Sequence, residues 1–202
     1  GNWDAWIIKM NSTGSILWDK NYGGVSVDGF SQLLELGSGN LLAFGSSSSG
    51  VSGNKTSASF GATDTWCLKI TPNGTLLNDW SIGGDQIDTK PKVFMEEANK
   101  IKLVCSSSSG ISGLKTQDSF GSFDLWVQEI DTNCNILQQQ TIGGADIDQV
   151  TDILVSTNGN LLILAESWSN TSGLKTEDAY GLMDTWLLKL DPNFNISNQK
   201  TI

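Results

Sequence analysis

Apolar residues return along this chain in short alternating runs, separated by clusters of Gly, Asn, Ser and Asp. The first run, Asp4 to Met10, carries Trp6, Ile8 and Met10 on one face and Ile7 on the other. A strand that is apolar on both faces is one sandwiched between neighbouring sheets. An NSTG turn follows, then a second strand from Ser15 to Asn21 that runs into the pair Gly23-Gly24. A third strand covers Phe30 to Leu36, a hairpin turn falls at Gly37 to Asn40, and a fourth strand covers Leu41 to Ser46. After it comes a long polar loop, SSSSGVSGNKTSAS. The pattern predicts an all-β chain.

The same phrasing then recurs. Gly1, Gly61, Gly121 and Gly181 open GNWDAWIIKM, GATDTWCLKI, GSFDLWVQEI and GLMDTWLLKL, a period of 60 residues without insertion. The Gly-Gly pairs keep register at Gly23-Gly24, Gly83-Gly84 and Gly143-Gly144, and SGNKT, SGLKT and SGLKT close the loops. Read as blades, the repeats are 1–60, 61–120 and 121–180, with 181–202 beginning a fourth. Four antiparallel strands repeated head to tail make the blade of a β-propeller, whose stability comes from neighbouring blades. A β-solenoid, the alternative repeat architecture, has shorter repeats and fewer hairpins. Propellers close with about four to eight blades, and residues 1–22 and 181–202 are the same part of the repeat. The expectation is therefore an incomplete ring, a segment of a longer polypeptide. Its two exposed apolar blade faces would invite missing blades, a second copy or a protein partner.

Charge narrows the function. The net charge is −10, from 22 acidic and 12 basic residues, and every basic residue is lysine. Without arginine or a basic excess, nucleic acid is disfavoured as a partner. Without histidine there is no Ser-His-Asp triad, no Cys-His pair and no imidazole ligand for a metal. The composition predicts a protein that is not an enzyme and carries no cofactor. No apolar run is long enough to span a membrane; Leu161 to Ala165 is among the longest. The chain begins at Gly1, so a leader could have been removed. Cys67, Cys105 and Cys134 are odd in number and irregularly spaced, which is no disulfide framework. Cys67 aligns with Ile7, Val127 and Leu187, and Cys105 with Gly45 and Ala165, so both read as small buried fillers.

Asp-x-Trp leading an apolar strand that ends in Lys, a PNG-like turn, a strand closing on Tyr-Gly-Gly or Ile-Gly-Gly, and then Gly-Asn-Leu-Leu resemble the repeats of bacterial seven-bladed propellers. Such repeats are common in secreted and cell-surface proteins of Bacteroidetes-type bacteria, many exported by the type IX secretion system. The resemblance covers the whole chain. It implies an extracytoplasmic location, extracellular or on the bacterial cell surface, and it implies no single activity. The long SSSSG-to-KT loop departs from the usual member, and a carboxy-terminal sorting domain is not among these 202 residues.

Four sets of residues are candidates for a role. Asp4, Asp64, Asp124 and Asp184 stand two residues before Trp6, Trp66, Trp126 and Trp186. A carboxylate that recurs in every blade suits a structural lock, accepting backbone or indole hydrogen bonds, better than a catalytic or metal role. Asp28, Asp88 and Asp148 follow the Gly-Gly pairs and are weak calcium candidates, although their spacing matches no calcium repeat and turn capping explains them. Lys55-Thr56, Lys115-Thr116 and Lys175-Thr176 would present a repeated binding feature on one face of the ring, or else order a long loop. Trp168 stands alone where the other copies have Ser48 and Ser108, and could stack on a sugar or anchor a protein. The function expected is a non-catalytic binding module for a glycan, a surface polymer or a protein. The alternatives are a structural part of an outer-membrane or type IX secretion assembly, and a fragment of a propeller hydrolase whose active site lies in other blades.

Overall fold

A computed structural model describes residues 1–202, and it is all-β. No helix is long and apolar enough to cross a membrane. Fourteen strands are laid out in chain order. β1 (Ala5–Met10) and β2 (Ile16–Tyr22) form a two-stranded half-sheet. β3 (Asp28–Glu35), β4 (Leu41–Ser47), β5 (Asp64–Ile70) and β6 (Leu76–Ile82) form sheet I. Sheet II holds β7 (Asp88–Glu97), β8 (Lys100–Ser107), β9 (Asp124–Ile130) and β10 (Ile136–Ile142). Sheet III holds β11 (Asp148–Val155), β12 (Leu161–Ser167), β13 (Asp184–Leu190) and β14 (Ile196–Thr201). Each full sheet is antiparallel in simple sequence order, as in a propeller blade. The blades do not close into a ring.

The sheets are phased differently from the 60-residue sequence units. Each blade takes its first two strands from the end of one unit and its last two from the start of the next. The reason is the pairing of β4 with β5: Leu41 to Ser47 stand opposite Ile70 to Asp64 in unbroken register, so the long polar loop lies within a sheet. The Gly-Gly corner, short and turn-prone, is what passes from one sheet to the next. Residues 1–60 are therefore one repeat of sequence but parts of two blades.

Strands at the middle of each sheet are buried on both faces, as their apolar pattern requires. On β5, Trp66, Leu68 and Ile70 pack with Ile7 and Tyr22 of the half-sheet, while Cys67 on the other face packs with Trp126 and Ile130 of sheet II. The same arrangement joins sheet II to sheet III, where Val127 and Ile142 meet Trp186, Leu188 and Leu190. The three cysteines are free and buried. Cys134 and Phe194 occupy the turn position that is Gly14 and Gly74 in other copies, with φ of 58° and 65°. Side chains are uncommon there, and both are inserted into the inter-sheet cores.

One core position is charged. Lys102 stands where the other copies have Leu42 and Leu162, and it is buried between Glu129, at 2.5 Å, and Glu96, at 3.1 Å, over the Phe194 ring. The hydrophobic pattern gives no warning of it.

Candidate functional site

The repeated polar residues converge on one rim, where each β4–β5 loop grips the Gly-Gly linker that enters its sheet. In sheet I, Ser52 Oγ accepts from Val25 N at 3.1 Å and Ser49 Oγ from Ser26 N at 2.9 Å. Sheets II and III repeat both bonds: Ser112 and Ser109 take Asp85 N and Gln86 N, and Ser172 and Ser169 take Ala145 N and Asp146 N. Leu114 N and Leu174 N donate to Gly83 O and Gly143 O at 3.0 and 2.9 Å. The loops thus seal every blade junction.

The lysines are inside this frame. Lys55, Lys115 and Lys175 are only 1–2% exposed. Lys115 Nζ donates to Ser109 O at 2.6 Å, Ser119 Oγ at 2.8 Å and Ser107 Oγ at 3.0 Å. Lys55 Nζ reaches Ser57 O and Ser81 Oγ, and Lys175 Nζ reaches Ser169 O. Lys55 and Lys175 also lie over the Trp66 and Trp186 rings, at 5.7 and 5.9 Å. Burial pushes all three ammonium pKa values down, and nearby aspartates only partly offset it. The reading of these lysines as a solvent-facing binding array is therefore corrected: a buried ammonium needs internal acceptors, and here they take it away from the surface. Thr56, Thr116 and Thr176 are exposed, but their N–H groups are tied to Asp79, Gln139 and Gln199.

Those three acceptors also hold the tryptophans. Trp66, Trp126 and Trp186 donate their indole N–H to Asp79, Gln139 and Gln199, each 13 residues on across the β5–β6 type of hairpin, at 3.0, 3.0 and 3.2 Å. Trp6 uses Asp19 in the same way but is exposed. Sequence reasoning missed this set because the position holds Asp in some copies and Gln in others. Burial raises the Asp79 carboxyl, but hydrogen bonds from Ser57, Thr56 and Trp66 outweigh it and hold the pKa below the usual range.

Asp64, Asp124 and Asp184 lock the loop rather than the indole. Each accepts the N–H of the aromatic residue four positions earlier, Phe60, Phe120 or Tyr180, and of the following glycine. Asp4 accepts from Gly1 N, the equivalent of those glycines, at 3.2 Å. The carboxylates lie against the first glycine of the outgoing linker, where a Cβ on Gly83 or Gly143 would overlap them. That contact explains half of the Gly-Gly motif. The other half is the approach of Ser49, Ser109 and Ser169 to Gly24, Gly84 and Gly144, where a side chain's Cβ would come within 2.5–2.6 Å of the serine Cβ.

Asp28, Asp88 and Asp148, the calcium candidates, are buried at the starts of β3, β7 and β11. Each accepts the N–H of the second linker glycine at 2.7 Å and a serine hydroxyl, from Ser49, Ser109 or Ser169. They cap the corner, as turn aspartates do. Desolvation raises the pKa of Asp64, Asp124 and Asp148, with Asp88 and Asp148 adding like-charge repulsion to Asp64 and Asp124 respectively. Trp168 begins the third loop, half-buried, with its N–H on Ile147 O at 2.8 Å.

Outward, the rim offers the repeated threonines and a few positions that vary. Val51 and Ile111 stand exposed at loop tips where the third copy has Thr171, and Phe60, Phe120 and Tyr180 follow at the loop ends.

No family model and no curated protein matches the sequence. Among solved structures, an apocarotenoid oxygenase point mutant from Synechocystis aligns over 94% of this chain and 43% of its own, at 11% identity and a TM-score of 0.44. An ACO/RPE65 chimera aligns over 80% and 35%, at 11% identity and 0.41. A protein of unknown function from Bacteroides caccae aligns over 96% and 73%, at 13% identity and 0.31. The chain spans less than half the length of the two oxygenase-related structures to which it is similar.

Proposed function

We propose that this chain is a non-catalytic interaction module, an arc of propeller blades that meets a protein or glycan through its loop rim, outside the cell or on a bacterial surface. One observation carries the reading: the rim divides into a repeated buried frame and variable exposed tips. Aspartate, lysine and serine of each unit are spent on one another and on the linker backbone, so the frame holds every loop in the same shape. Among the residues left outside, Val51 and Ile111 give way to Thr171, and at the loop start Ser48 and Ser108 give way to the half-buried Trp168. Rigid elements that carry exchangeable tips suit recognition, because the side chains that make contacts change without cost to the scaffold. The extracytoplasmic setting rests on the resemblance of the repeat to those of secreted propellers.

A glycan array and an extract of bacterial surface proteins, both probed with the full chain, test this. Saturable binding that weakens at least about tenfold in a Val51→Asp/Ile111→Asp/Trp168→Ser variant, at unchanged Tm, is the expected result. Turnover of a polysaccharide by the same preparation would overturn the non-catalytic reading, and binding untouched by the triple substitution would move the site off the rim.

A further inference from the structure

The two ends of the arc are not equivalent, and the carboxy-terminal one is the next-facing side of sheet III. Its surface is built from positions that are covered in both internal junctions. Leu187 is 38% exposed, whereas Cys67 and Val127 at the same place are 0%. Leu162 and Leu164 are partly exposed, where Leu42, Phe44 and Val104 are fully buried. Leu154, Leu162, Leu164 and Leu187 line an open hollow of about 660 Å³. On the rim above it, Tyr180 is 77% exposed. The corresponding aromatic rings have a seat: a Cβ on Gly113 would lie 3.0 Å from Phe60, and one on Gly173 would lie 3.0 Å from Phe120.

We infer that this face is a docking surface for one further four-stranded sheet of the same repeat. The two internal junctions specify how it sits. Its Asp-x-Trp strand lies against Leu187, as Trp126 packs with Cys67 and Trp186 with Val127 in their shared cores. The glycine of its Ser-Gly-x-Lys-Thr loop lies under Tyr180, as Gly113 and Gly173 lie under Phe60 and Phe120. That glycine holds φ near +55° in both internal copies, so the occupant needs glycine there both for backbone conformation and for room under the ring. The surface is continuous with an interface the molecule already forms twice. An unrelated apolar partner would satisfy the leucines but would have no seat for Tyr180.

The test lengthens the chain by one unit, repeating residues 143–202 directly after Ile202 so that the register of the Gly-Gly corner is kept. Leu187→Lys and Tyr180→Ser are placed in both the 202-residue chain and the extended one. In the shorter chain, both substitutions sit at solvent and Tm stays within about 2 °C. In the extended chain, Leu187→Lys buries an unpaired ammonium and lowers Tm by roughly 5 °C or more, and Tyr180→Ser lowers it measurably. Equal effects of each substitution in the two chains would overturn the inference, as would an appended unit that adds no β-signal to the far-UV circular dichroism. So would a 202-residue chain that sediments as a concentration-dependent oligomer dispersed by Leu187→Lys, because a second copy would then be the occupant.

Discussion

Lys115→Met separates a buried ammonium from a surface one. The substitution keeps the length and apolar stem of the side chain and removes three donors. Ser109 O, which takes the shortest bond at 2.6 Å, loses its charged partner, and Ser107 and Ser119 lose theirs. Asp88 and Asp124, both fully buried, lose the ammonium beside them. Removing one member of a buried charge network leaves the rest uncompensated and costs about 3–5 kcal/mol. For a chain of this size each kcal/mol moves Tm by about 2–4 °C, so the fall should be roughly 6–20 °C. Lys189→Met, at an exposed site, stays within about 0.5 kcal/mol. Urea titrations followed in parallel by tryptophan fluorescence and circular dichroism give the comparison and check that the transition is two-state. A Lys115→Met variant less than about 1 kcal/mol below the parent would refute the buried frame and return the lysine to the surface.

Two further outcomes follow from the linker corner. The folded-state pKa of Asp124 lies above its unfolded value, so its contribution is fully present below about pH 4 and is lost as pH rises through the folded pKa. Asp124→Asn should therefore gain on the parent as pH rises above about 4, read from urea midpoints of both proteins at each pH; a constant difference would mean that burial does not raise the carboxyl pKa. Gly143→Ala drives a methyl into the Asp124 carboxylate and should cost roughly 1–3 kcal/mol, whereas Gly37→Ala, open to solvent and without positive φ, should be neutral or slightly stabilising. Thermal melts of the pair decide it, and equal Tm values would place the glycine requirement elsewhere.

Much of the fold was legible because the strands repeat. Trp6, Ile8 and Met10 against Ile7 announced a sandwiched strand, and the structure puts its internal copies between two sheets. Strand limits came within a residue or two of β1 to β4. The phase of the sheets was not legible: a loop of polar residues reads the same whether it joins two blades or two strands of one, and only the β4–β5 pairing decides. At the rim, the choice between a binding feature and an ordered loop stayed open for a related reason. Lysine beside threonine in a serine-rich loop looks solvated in one dimension, and the carbonyls that bury it, such as Ser109 O, carry no side-chain signal. Lys102 escaped because its partners, Glu96 and Glu129, come from two other strands.

The half-unit offset between sequence repeat and sheet bears on how the chain comes apart. A repeat whose unit coincided with its sheet could detach whole, leaving its neighbours intact. Here every 60-residue unit supplies half of two adjoining sheets, like overlapping courses of brick, so unravelling one unit strips strands from both. Local opening is thereby coupled across junctions, and denaturation should take adjoining sheets together instead of one sheet at a time.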